Sequence, residues 1–311
     1  LEDVYPDLEE RLDHIYRKQL YGVAITELTS LLSRRSLYCS KYPNSIYSVV
    51  RFDDAAGNVR FKNTEHAWSG GRCRYCGATQ KEYDRDKSLE QYAYEFIHVD
   101  DPEEVLPMKF DVIIGNPPYQ LSDGGNNASA MPIYQKFVEQ AKKLNPQYLV
   151  MITPSRWFSG GRGLDAYRST MLNDRRIRRL VDYEDANECF PGVDMSGGVS
   201  YFLWDRDYNG DCTVVNMKNG VGSEQQRDLR RYEILIRSNE AVSIVDKVLG
   251  HTNRFLSAYV SSQRPFGLRT FAKPTKKGDL TLRWREGKGP ISSSEITVGQ
   301  EWIAKWKVIV S

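Results

Sequence analysis

The sequence predicts an α/β protein built on a doubly wound parallel sheet, with an insertion and a C-terminal addition. Three observations point there. Near-continuous apolar runs such as Val112-Ile113-Ile114 and Tyr148–Thr153 alternate with helical patterns, as strands buried on both faces of a parallel sheet do. The 311 residues suffice for one large domain or two ordinary ones, and 40% hydrophobic with 27% charged residues is a globular composition. No apolar run approaches the roughly 20 residues that span a membrane, and no signal peptide opens the chain, so no membrane partner is expected. Five cysteines, an odd number in a chain this long, do not form a secreted disulfide framework, and a cytoplasmic location is expected. The formal net charge of +2 leaves the partner open.

The elements follow in order. Residues 7–18 carry Leu8, Leu12 and Ile15 at helical spacing, then a short strand over Gln19–Val23 and a helix over Ile25–Arg34. Phe96–Val99 and Phe110–Ile114 read as strands joined by an acidic turn at Asp100-Asp101. Pro132–Leu144 reads as a helix, with Pro132 near its start where a missing N–H costs nothing. Tyr148–Thr153 is a strand, Leu164–Leu172 a helix, and Ile177–Tyr183 and Val199–Trp204 are strands, with Asp211–Val215 closing the sheet as a hairpin partner. Residues 1–220 form the core on this reading, interrupted by an insertion at 36–90, and 221–311 a second domain. The opening at Leu1 and the apolar end Trp306–Val310 are those expected of a segment of a longer protein.

The insertion holds Cys39, His66, Cys73 and Cys76. Cys73-Arg74-Tyr75-Cys76-Gly77 is a Cys-x-x-Cys knuckle whose glycine lets backbone amides turn toward the sulfurs. Three thiolates and one imidazole make a closed tetrahedral set for structural zinc, with His98 an alternative to His66. Cys189 and Cys212 read as buried small hydrophobes.

The stretch FDVIIGNPPYQ, residues 110–120, carries the chemistry. Pro117 and Pro118 deny two N–H donors and fix two φ angles, so the strand stops in a stiff turn. The side-chain oxygen of Asn116 and the carbonyl of Pro117 can accept from one planar amine, while Tyr119 offers a ring for stacking. Two acceptors on an exocyclic amine draw its lone pair out of conjugation, and positioning carries the rate without a shifted base. In sheets of this kind ligands bind beyond the carboxyl ends of the strands. Asp100 and Asn116 are therefore expected side by side in one crevice.

The turn, the strand before it and the upstream acid resemble the N6-adenine DNA methyltransferases of the γ order, whose hallmark is Asn-Pro-Pro-Tyr. The likeness covers roughly residues 15–215 by element order. It implies a Rossmann-like methyltransferase core, S-adenosylmethionine as cofactor, double-stranded DNA as substrate and a target-recognition domain after the core. Asn116 and Pro117, stiffened by Pro118, match the amine acceptors, and Tyr119 the stacking ring. Asp100 matches the acid that binds the cofactor's adenine, with Asp101 its near competitor. Phe190, in ECFPGVDMSGG, matches the ring on the other face of a flipped base, or else is a core residue. Residues 1–18 contain no glycine, so the cofactor loop is expected upstream of Leu1; Glu27 is the nearest match to the ribose-binding acid.

RKQLYGVAITELTSLLSRRSLYCSK is also similar to large type II restriction–modification methylases, which implies an endonuclease module in the parent chain; no nuclease carboxylate cluster is visible in these residues. From Arg254 onward eleven Lys or Arg stand against four Asp or Glu, interleaved with aromatics. Arg264, Arg269, Lys273, Lys276, Lys277, Arg283 and Arg285 are the candidate phosphate contacts. The glycine- and asparagine-rich loop Ser122–Met131 is a candidate for ordering over DNA. Two other readings stay open: a protein glutamine methyltransferase, since a carboxamide is also a planar amine, and a DNA-specificity module without activity. N4-cytosine enzymes more often carry Ser where Asn116 stands, which favours adenine.

Overall fold

A computed structural model describes residues 1–83, 93–121, 131–193, 195–252, 254–256, 259–260, 266–269, 271–284 and 286–306. In chain order the helices and strands are α1 (Leu8–His14), β1 (Gly22–Val23), α2 (Glu27–Tyr38), β2 (Val59–Arg60), β3 (Trp68–Ser69), β4 (Arg72–Cys73), α3 (Gln80–Tyr83), β5 (Val112–Gly115), α4 (Tyr134–Lys143), β6 (Tyr148–Pro154), α5 (Asp165–Asn173), β7 (Ile177–Tyr183), β8 (Val199–Asp205), β9 (Cys212–Lys218), β10 (Val221–Arg227), α6 (Asn239–His251), β11 (Leu280–Trp284) and β12 (Gly287–Ile291). No described helix is long and apolar enough to cross a membrane.

The central sheet has six strands in the order β10-β9-β7-β8-β6-β5. It is mixed, which corrects the expected parallel sheet. β5 with β6 and β7 with β9 are parallel, while β8 runs antiparallel between β6 and β7 and β10 antiparallel to β9. The connections explain the difference. Between β7 and β8 the described residues make a 3-10 turn, Ala186–Glu188, and no helix, where a parallel return needs a crossover helix. Asp211–Val215, expected to close the sheet as a hairpin partner, is β9, which instead pairs in parallel with β7 and turns at Asn219-Gly220 into β10 at the sheet's edge. The sheet therefore runs past residue 220.

A second correction concerns Phe96–Val99, which is no strand: Glu95–Ile97 is a buried 3-10 turn. The Gln19–Val23 strand shrinks to β1, which pairs in parallel with β2 outside the main sheet.

Helix α4 carries buried Tyr134, Phe137, Val138 and Ala141, the apolar stripe that its spacing predicts. These join Leu149, Trp157, Leu164, Met171, Leu180, Phe202 and Trp204 in the main core. The insertion divides in two. Tyr38, Val50, Phe52 and Val59 form a small core of their own, whereas Cys73, Cys76, Ala78 and Tyr83 belong to the main one.

The chain separates into two compact units, Leu1–Val242 and Ser243–Ser311, with the division falling inside α6. In the second unit β11 and β12 form an antiparallel hairpin that sets Arg283 opposite Lys288.

Candidate functional site

Strand β5 ends at Gly115, and the Asn-Pro-Pro-Tyr turn follows at once, as expected of prolines that cannot continue a ladder. Asn116 is exposed and Pro117 buried, with Pro118 and Tyr119 between these extremes. The Asn116 amide makes no hydrogen bond within the described residues. Its acceptor is therefore available to a ligand.

The turn borders a crevice of about 300 Å³. It is lined by the strand end and turn from Val112 to Pro118, by Tyr21, Gly22, Val23 and Ile25, and by an apolar group that includes Phe96, Leu106 and Phe110. Val112 and Ile114 are large apolar side chains left open to solvent, and their place on this crevice accounts for that. Tyr21 and Phe110 meet edge to face at 5.9 Å. A concave, mostly apolar site with a few convergent polar groups is the usual form of a cofactor pocket. Sequence reasoning missed Tyr21, Leu106 and Phe110; the aromatic residues flanking two short strands were the signal that was present.

Tyr119 is held from behind. Its carbonyl accepts from the Ile133 N–H at 3.2 Å, and Gln120 bridges to Pro132. Burial pushes its hydroxyl up to about 12, and the neighbouring Cys189 thiol adds to the effect, so the ring stays a neutral phenol. That proximity also brings the segment bearing Phe190 to the turn. Phe190 is half-buried and absent from the core, with its N–H donating to the Ala186 carbonyl at 2.8 Å.

Asp100 and Glu27 lie elsewhere. The 3-10 turn that replaces the expected strand sends Asp100 outward, where it is exposed and pairs with Arg74. The Arg74 guanidinium holds its carboxyl below the usual range. Asp101 caps the next turn, accepting from the Glu103 N–H at 2.9 Å. Neither acid lines the crevice beside Asn116. Glu27 is exposed in the first turn of α2, just beyond Ile25.

Of the expected metal ligands, His66, Cys73 and Cys76 come together and Cys39 does not. Cys39 is exposed at the left-handed C-cap of α2, and His98 completes the buried group. Among the candidate phosphate contacts Arg269, Lys273, Lys276, Lys277 and Arg283 are all exposed. Lys276 and Lys277 sit in a turn that Thr275 ties to β12 through its N–H to the Pro290 carbonyl, 2.8 Å. Arg264, Arg285, the loop 122–130 and the insertion's end at 84–90 lie outside the described residues.

The model of the Eco57I restriction-modification methylase family matches residues 18–190, more than half of the chain, and the chain belongs to that family. An "Uncharacterized adenine-specific methylase" of Mycoplasma pneumoniae (strain ATCC 29342 / M129 / Subtype 1) is 36% identical over 269 residues, covering 77% of this chain. The chain spans 63% of that relative's length. Solved restriction–modification enzymes are more distant. A nuclease-deletion mutant of the Type ISP enzyme LlaGI in complex with a DNA substrate mimic shares 12% identity, covering 76% of this chain and 21% of its own, with a TM-score of 0.40. The DrdV–DNA complex shares 14% identity, covering 68% and 22%, with a TM-score of 0.38.

Proposed function

We propose that the protein is a DNA adenine-N6 methyltransferase of a restriction–modification system. The observation that carries this reading is the Asn-Pro-Pro-Tyr turn at the lip of an apolar crevice, with its Asn116 amide unengaged. The residues present fit S-adenosylmethionine in kind: aromatic and aliphatic walls for an adenine ring, and a strand end at which a methyl group can meet an amine. When bound, that cofactor supplies an electrophilic methyl group on sulfur.

The chain's own residues do the rest. Asn116 Oδ1 and the Pro117 carbonyl accept the two N–H bonds of the adenine amine, which turns its lone pair toward the crevice. Pro118 holds the acceptors rigid, so little reorganisation is needed during reaction. Tyr119 stacks on one face of a flipped base and Phe190, carried beside it by Cys189, on the other. Held by Asn116 and Pro117 at the lip of the crevice, the amine would face the methyl group that the cofactor supplies when bound, and its nitrogen would give up one proton to water on methylation. Asp100 and Glu27 take no part in the crevice.

Double-stranded DNA is the proposed partner, held at its phosphates by the basic turn and hairpin of the second unit. Arg283 and Lys288 directly opposite one another are a repulsive pair unless a polyanion lies across them. An endonuclease module elsewhere in the parent protein and a cytoplasmic location are part of the same proposal. The test uses the intact gene product with methyl-labelled S-adenosylmethionine, offered either DNA or a glutamine-bearing peptide. Label recovered as N6-methyladenine supports the reading; label in the peptide or in cytosine overturns it.

A further inference from the structure

His66, Cys73, Cys76 and His98 are all buried, and one potential ligand atom from each lies within 4.8 Å of every other. No other such group occurs among the described residues. A tetrahedral zinc shell of two thiolates and two imidazoles has ligand-to-ligand edges of ~3.3–3.8 Å. The Cys76 Sγ to His66 Nδ1 separation is already 3.4 Å. The remaining edges need close by no more than about 1.5 Å to meet that geometry.

The surrounding backbone is shaped for such a shell. β3 and β4 form a hairpin that turns at Gly70-Gly71, and the knuckle follows it. The Gly77 N–H donates to the Cys73 carbonyl at 3.0 Å, and the Cys73 N–H donates to the Ala78 carbonyl at 2.8 Å. Gly77 has φ +79°, the left-handed turn that only a glycine enters cheaply. His98 faces this knuckle from the other side. Its Nδ1 lies 2.8 Å from the Tyr94 carbonyl, which fixes the proton there and leaves Nε2 as an acceptor. That Nε2 is buried with no hydrogen-bond partner, an arrangement that costs free energy unless something occupies it. The two thiols form no disulfide.

We propose that these four residues bind one Zn²⁺ in a closed Cys₂His₂ shell. With four protein ligands there is no open position, so the metal is structural. It fastens the β3–β4 hairpin to the 3-10 turn Glu95–Ile97, whose Phe96 lines the crevice. The fastening has a second effect, because Arg74 lies between the two cysteines and pairs with Asp100. Tyr75 in turn packs on His98, ring centroids 5.6 Å apart. Closing the shell therefore fixes the loop that carries Asp100. Cys39 has no place in it.

The test is made on the intact gene product, purified without chelator, by zinc content and by the absorption spectrum after Co²⁺ replacement. One zinc per chain is expected, with the visible bands of a tetrahedral site and a sulfur-to-cobalt charge-transfer band. Cys39→Ser should keep both signals, and Cys76→Ser should lose the metal. His98→Cys guards against a variant that merely fails to fold. Cysteine is itself a zinc ligand, so metal should be retained while the charge-transfer band grows by about half, two thiolates becoming three. A wild-type protein without zinc and without a tetrahedral cobalt spectrum overturns the proposal. So does a Cys39→Ser variant that loses the metal, or a His98→Cys band of unchanged intensity.

Discussion

Asp182→Ala tests how the strand ends behind the site are held. Asp182 is 1% exposed on β7 and accepts from Nε and Nη2 of Arg237, at 2.6 and 2.9 Å. The Ser155 hydroxyl, just past the end of β6, donates to the same carboxylate at 2.6 Å. One carboxylate thus joins β7, the exit of β6 and the segment before α6. Removing one partner of a buried pair costs ~3–5 kcal/mol, because the other charge is stranded. The Arg237 side chain is 30% exposed and can be partly rehydrated. That places the cost of breaking the pair near the lower limit, and the Ser155 bond adds ~1 kcal/mol. A total of ~4 kcal/mol in a unit of this size lowers Tm by about 8–16 °C. Differential scanning fluorimetry and urea titration of Asp182→Ala, Arg237→Ala and the double variant form the assay. The double variant should lose much less than the sum of the two singles. Additivity within ~0.5 kcal/mol, or an Asp182→Ala shift under about 3 °C, would refute the clamp.

Four other outcomes are expected. Gly198→Ala should cost at least ~2 kcal/mol by urea midpoint, since its φ is +74° and a Cβ would sit 2.1 Å from the Tyr183 carbonyl oxygen. Gly192→Ala, with positive φ but open space around it, should cost only about 1 kcal/mol. Burial works to raise the Asp174 carboxyl, but Arg176, Lys142 and the Trp204 indole N–H outweigh it and hold the group well below the ordinary range. A carboxyl depressed in the folded state gives stability that is full above its unfolded pKa of ~3.9 and is lost as pH falls through the folded value. Asp174→Asn should therefore be clearly less stable at neutral pH and converge on the parent in strong acid; a gap independent of pH would contradict this. Replacing Lys276, Lys277 and Arg283 by alanine should weaken double-stranded DNA binding on all sequences alike. The slope of log K against log salt should shrink by ~0.9 for each phosphate that the variant no longer neutralises, as fluorescence anisotropy across a salt series would show.

Local chemistry made part of this protein legible in the sequence. The prolines at 117 and 118 mark the end of β5, because an absent N–H is a property of the residue itself. Ile177–Tyr183 is a strand within the expected bounds, since its apolar residues Ile177, Leu180 and Val181 are buried as such a run should be. Pairing was harder to read. Nothing in the composition of Val199–Asp205 says that it inserts antiparallel between β6 and β7; that follows from a short connection and from which slot remains. Phe96 and Ile97 are buried as an apolar run should be, yet in a 3-10 turn, and the acids after them do not line the crevice at Asn116. The buried His–Cys group shows the same division. The Cys-x-x-Cys knuckle is visible as a motif, whereas choosing His98 over Cys39 takes an approach between segments more than 20 residues apart in the chain. Arg237 and Asp182, 55 residues apart, left no local trace at all.

The central claim is that Asn116 presents an adenine amine for methylation. The direct measurement is N6-methyladenine mapping in DNA from cells that express the intact gene, beside cells that express its Asn116→Ala variant at equal protein level. The account predicts one methylated sequence motif with the parent gene and none with the variant. A motif that persists with Asn116→Ala, or unmodified adenine in both while the soluble protein binds S-adenosylmethionine, would contradict it.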